Sequence, residues 1–184
     1  MIDLLHGGCH CGRVRIEFGT ATSPADIRPR ACDCSFCTKY GASYLSDLHG
    51  SLRIEVQVPD TISEYRQGSE SARFLLCRCC GVLVAVVLDD DAGSYGAVNS
   101  RCIEGDVGFG SLQTVSPQRL AGEEKRSRWA TLWTPDVEIK VSDPDDARSW
   151  RVKPAPTSPP ACQSRLPGCP ASPHRSDDNA RLAA

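Results

Sequence analysis

Apolar and polar residues alternate with period two along much of the first 142 positions. Val14, Ile16 and Phe18 interleave with Arg13, Arg15 and Glu17. Leu52, Ile54, Val56 and Val58 repeat the pattern, and so do Val137, Ile139 and Val141. Side chains two apart share one face of a strand, so these segments predict half-buried antiparallel strands. Val82 to Leu88 is instead a continuous apolar run between Gly81 and Asp89-Asp90-Asp91, which predicts a strand covered on both faces. No stretch holds a 3.6-residue period long enough to predict a long helix; a short helix or turn is expected near Phe36 to Ala42. The expected fold is mainly β.

The pattern stops near residue 142. From Asp143 to Ala184 the chain carries eight of its 13 prolines and one aromatic, Trp150, with no periodicity. Such a segment offers too little apolar surface to offset its ordering entropy. The expected organisation is therefore one domain over 1–142 and a disordered proline-rich tail over 143–184. With 21 basic and 23 acidic side chains, a net charge of -2 and no basic cluster, nothing favours a nucleic-acid surface or an anionic membrane. The longest apolar run is far shorter than the roughly 18 residues a spanning helix needs. Asp3 falls where an export signal would be basic, so the sequence reads as cytoplasmic, a setting in which disulfides are rare.

Eleven cysteines then require another use. Cys9 and Cys11 form C-x-C, Cys32, Cys34 and Cys37 form C-x-C-x-x-C, and Cys77 and Cys80 form C-x-x-C. Thiolates around one zinc ion lie roughly 3.8 Å apart, whereas side chains two apart on a straight strand are separated by about 6.6 Å. A C-x-C pair must be bent to chelate, and Gly7, Gly8, Gly12 and Gly81 supply the bends. Cys9, Cys11, Cys77 and Cys80 make a complete four-thiolate set of the structural kind. The middle cluster offers three ligands, the way an open, catalytic zinc site is written, unless His10, His49, Cys79 or Cys102 completes it as a second structural site. The iron–sulfur alternative is disfavoured because the C-x-C pairs do not match ferredoxin spacings. Cys79 and Cys102 read as small core residues, Cys162 and Cys169 as free thiols in the tail, and His10 and His49 as general-base candidates by type alone.

Gly7-Gly8-Cys9-His10-Cys11-Gly12-Arg13, Cys32-Asp-Cys34-Ser-Phe-Cys37 and Arg73-Phe-Leu-Leu-Cys77-Arg-Cys-Cys80-Gly81, in that order, resemble the glutathione-dependent formaldehyde-activating family, which includes the centromere protein V group. The resemblance spans about Leu5 to Trp133. It implies a β-tent of small antiparallel sheets pinned by zinc. It also implies two zinc ions per chain, a structural one on Cys9, Cys11, Cys77 and Cys80 and a catalytic one on Cys32, Cys34 and Cys37. The implied partners are a thiol such as glutathione and a small aldehyde, and the implied reaction is carbon–sulfur lyase chemistry giving S-hydroxymethylglutathione. Pro117, Glu123-Glu124-Lys125 and Trp129 fit the family pattern, but Leu120 stands where members often carry histidine, and Asn99 to Glu104 replaces a usual glycine-threonine-leucine-aspartate stretch. The competing class is a non-catalytic zinc module that binds a partner protein.

Overall fold

A computed structural model describes residues 2–91 and 93–142. The proline-rich tail expected over 143–184, with Cys162 and Cys169, lies outside the described residues. The elements run β1 (Asp3–Gly8), β2 (Val14–Thr20), β3 (Arg30–Cys32), α1 (Ser35–Tyr40), β4 (Ser43–Leu45), β5 (Ser51–Val56), β6 (Ile62–Tyr65), β7 (Ala72–Cys77), β8 (Leu83–Asp90), β9 (Gly93–Asn99), β10 (Gln113–Val115), α2 (Gly122–Ala130) and β11 (Asp136–Val141). They form a four-stranded sheet in the order β1-β2-β5-β11 and a seven-stranded sheet in the order β10-β3-β4-β9-β8-β7-β6. The mainly β expectation holds.

β8 is central, with Leu83 to Leu88 all buried. Its pairing with β7 shifts register, Leu75 facing Ala85 and Leu76 facing Leu83, so Val84 is the extra residue of a β-bulge. The bulge lets Val84 and Ala85 both join the core that packs against Val14, Phe18, Leu52 and Ile54 of the smaller sheet. Leu83, Val86 and Leu88 face the opposite way, into a second cluster with Phe74, Tyr44, Cys37 and Trp133. One face of the large sheet thus builds the interior between the sheets; the other builds a floor under the helices.

Not every strand is antiparallel. β11 pairs with β5 in parallel, Ile139 opposite Ile54, and β10 pairs with β3 in parallel. Parallel neighbours need a long connection, and the chain between β5 and β11 supplies one. Arg53 fixes the register of β11 by reaching both oxygens of Asp136, at 3.0 and 2.7 Å. Alternation in β11 marked a strand but overstated its burial: Ile139 and Val141 are exposed, because β11 is an edge.

A buried carboxylate closes one end of the fold. Asp47 is 7 % exposed and accepts from the Thr20 hydroxyl at 2.7 Å and from the backbone N–H groups of Ala21, Thr22 and His49 at 2.9, 3.0 and 2.9 Å. Burial alone would raise its pKa, but these donors outweigh burial and hold it down at about 2. Asp47→Asn is expected to destabilise the domain by about 2–4 kcal/mol at neutral pH, because an amide cannot accept this set of donors on both sides. Denaturant unfolding of the variant checks it; a midpoint equal to that of the parent would show the network to be dispensable.

Candidate metal centres

The first cysteine group is assembled by two turns of similar build. Between β1 and β2 the Cys9 N–H donates to the Val14 carbonyl at 2.9 Å; between β7 and β8 the Cys77 N–H donates to the Val82 carbonyl, also at 2.9 Å. In each turn a glycine follows the second cysteine, Gly12 at φ 75° and Gly81 at φ 73°, a region costly for any side chain with a Cβ. The turns bring Cys9 Sγ to 3.5 Å from Cys11 Sγ, and Cys11 Sγ to 3.6 Å from Cys77 Sγ. All four sulfurs, Cys80 included, lie within 4.8 Å of one another. This is close to the spacing of four thiolates on one ion.

The electrostatics of the four thiols are uneven. Burial pushes Cys11 up to about 11 and carries Cys77 further upward still. Burial acts on Cys80 in the same sense, but the N–H groups of Val82 and Cys11 and the neighbouring thiols overcome it and bring Cys80 to about 7. Four soft donors converging on one point suit a thiophilic divalent ion.

The second group sits at the β3–α1 junction. Cys34 is the N-cap of α1 and its Sγ accepts from the Cys37 N–H at 3.4 Å. Gly41, left-handed at φ 56°, ends the helix. The cap turns the chain so that Cys32, Cys34 and Cys37 converge, their sulfurs within 4.8 Å of one another. The Cys37 thiol gives Cys32 a hydrogen bond that lowers it to about 6, while that hydrogen bond to Cys32, and after it burial, push Cys37 upward. Cys37 Sγ also shares a hydrogen bond of 3.3 Å with the Tyr44 hydroxyl, and burial first, then Cys37, raises Tyr44 far above the ordinary phenol range. Tyr44 therefore stays protonated and donates whenever Cys37 is a thiolate. Gln67 Nε2 lies 3.8 Å from Cys34 Sγ.

None of the four residues considered as a fourth ligand joins this trio. His10 and His49 are exposed, Cys79 accepts from Arg13 Nη1 at 3.0 Å, and Cys102 packs in the inter-sheet core with its thiol on the Leu83 carbonyl at 3.4 Å. Among the described residues the group contains three sulfurs only.

The trio opens onto a cavity of about 380 Å³. α2 and the segment after it form one wall, where Trp129 and Trp133 stack with centroids 4.7 Å apart. Leu120 lines the cavity, and neither histidine nor carboxylate does among the described residues. Arg30 lines it as well, bonded to the Ser46 hydroxyl; burial, and after it the Arg128 guanidinium, lower the pKa of Arg30. Sequence reasoning had placed the sulfurs but missed Tyr44, Gln67, Arg30 and Arg128, since none belongs to a local motif.

The model of the family described as "Glutathione-dependent formaldehyde-activating enzyme" matches residues 4–116. The crystal structure of a Rhodobacter sphaeroides protein is similar at 31 % identity, over 59 % of this chain and 99 % of that one, with a TM-score of 0.44. The matched segment holds both cysteine groups, brought together by the fold as described above, and the chain belongs to the glutathione-dependent formaldehyde-activating enzyme family.

Proposed function

We propose that the protein is a zinc-dependent enzyme of the carbon–sulfur lyase kind that makes or breaks thiol–aldehyde adducts, with glutathione and formaldehyde as the first pair and S-hydroxymethylglutathione as their product. The observation that carries this reading is the convergence of Cys32, Cys34 and Cys37, with no fourth donor among the described residues, at the edge of a cavity large enough for a small ligand. Family membership supports the substrate pair.

The donor sets fit zinc: four thiols for a closed structural site and three for an open one. Cys9, Cys11, Cys77 and Cys80 would hold the first ion and Cys32, Cys34 and Cys37 the second. A zinc ion held on the trio would lower the pKa of a substrate thiol and hold it for reaction with the aldehyde. The chain's own groups then set the surroundings. Tyr44 would donate to a thiolate at Cys37 and Gln67 approaches Cys34, which would draw charge from two of the sulfurs. Leu120, Trp129 and Trp133 give the cavity an apolar lining that restricts water. His10 and His49, being exposed and away from the cavity, do not serve as its base. The active unit is residues 1–142, acting in a reducing, cytoplasmic setting where thiols persist; all cysteines in the described part are free. No described helix is long and apolar enough to cross a membrane.

The test is direct. Purified protein should carry about two zinc ions per chain by elemental analysis and should accelerate exchange between glutathione, formaldehyde and their adduct in nuclear magnetic resonance exchange spectra. Two ions without acceleration for several thiol–aldehyde pairs would turn the reading toward a non-catalytic module that binds a partner.

A further inference from the structure

The charges around the cavity ask for an anion that the sulfur chemistry does not provide. Arg30, Lys125 and Arg128 line it, and no Asp or Glu does among the described residues. Lys125 is the informative one. It is 9 % exposed, and its Nζ lies 5.9 Å from the centroid of Trp129. No carboxylate pairs with it among the described residues. A cation–π contact returns only part of what it costs to bury an ammonium group, so an anionic ligand in the cavity would offset the remainder. Arg30 meets the neutral Ser46 hydroxyl, which leaves its charge unbalanced too. The sulfurs do not close the account: three thiolates around a divalent ion carry about -1 against three cations.

We propose that Lys125 and Arg128 on α2, with Arg30 opposite, bind a carboxylate of the thiol substrate, so that the protein selects thiols that carry carboxylates over neutral ones. This deepens the proposed function and rests on it for the word thiol. The anion pocket and the sulfur trio share one cavity, so a single molecule of peptide size reaches both. Lys125 and Arg128 also lie one turn apart, three residues along the helix, and so share a face. Both fall beyond the segment matched by the family model, which ends at residue 116.

S-methylglutathione and its diethyl ester separate the possibilities, because the methylated sulfur is the same in both and cannot become a thiolate, while the two differ in their carboxylates. Titration calorimetry on the metal-loaded full chain should show the acid binding at least about ten-fold more tightly than the ester. Lys125→Met and Arg128→Gln should each remove most of that preference. Methionine suits the buried stem of Lys125; should that variant fail to fold, Arg128, which is exposed, carries the test alone. Equal affinity for acid and ester, no binding of the acid, or a preference unchanged in Arg128→Gln would overturn the proposal. Adduct exchange measured on the unmodified protein judges the proposed function separately: catalysis without the preference sinks only the carboxylate site, and the preference without catalysis sinks only the lyase reading.

Discussion

Cys77→Ser is expected to abolish cooperative folding, or to lower the melting temperature by more than about 10 °C, with loss of metal from the first centre. Cys77 is fully buried and its sulfur faces Cys11 at 3.6 Å, so the substitution acts inside the core that joins the two sheets. A structural zinc contributes on the order of 10 kcal/mol or more to folding, comparable with the whole stability of a domain this size. Cys9 and Cys11 lie in the turn between β1 and β2 of the small sheet, and Cys77 and Cys80 at the end of β7 and in the turn after it in the large sheet, so an ion here would join the two sheets. Cys102→Ala is the control. It is equally buried in the same core but is not one of the four converging sulfurs, so it should cost only about 1–2 kcal/mol and leave the metal content intact. Thermal unfolding with and without a chelator, alongside elemental analysis, reads both variants. Equal melting of Cys77→Ser and the parent, with metal retained, would remove the structural assignment.

The sequence exposed the parts of this fold whose information is local. β2 and β5 follow from alternation because one face of each is buried against the large sheet and the other is not. β8 follows from an unbroken apolar run because it lies between the two cores. α1 falls where a short helix or turn was expected, and the structure shows Cys34 capping its start and Gly41 its end. α2 was not legible: its residues are nearly all polar, with Lys125 buried and Trp129 and Ala130 half-buried, so there was no apolar stripe to read. β9, running Gly-Ser-Tyr-Gly-Ala-Val-Asn, was hidden by its glycines; Gly96 sits where a Cβ would meet Val137 at 2.9 Å, a demand that only the packed structure reveals. The parallel placement of β11 is likewise non-local. The sulfur groups were legible because ligand spacing is carried by adjacent residues, whereas the cavity wall comes from segments up to a hundred residues apart.

Cys34→Ser is expected to leave the protein folded, to lower its metal content by about one ion per chain and to reduce adduct exchange by at least about 100-fold. The substitution is selective because Cys34 has two roles that serine divides. As N-cap of α1 it accepts the Cys37 N–H, and a serine hydroxyl is among the best acceptors at that position, so the helix start is kept. As a metal donor it offers a soft thiolate, which a neutral hydroxyl does not replace. Losing an outer partner of a ligand already costs 10–100-fold in affinity or activity, so losing one of three ligands should cost more. The first centre lies on the other face of the large sheet and shares no ligand with this one, so its metal and the melting transition should be retained. Elemental analysis, far-ultraviolet circular dichroism and exchange spectroscopy on the same preparation make the comparison. A variant that keeps both ions and full activity would take Cys34 out of the site. One that loses an ion yet still accelerates the adduct would move the chemistry away from Cys32, Cys34 and Cys37, and the cavity beside them would need another reagent.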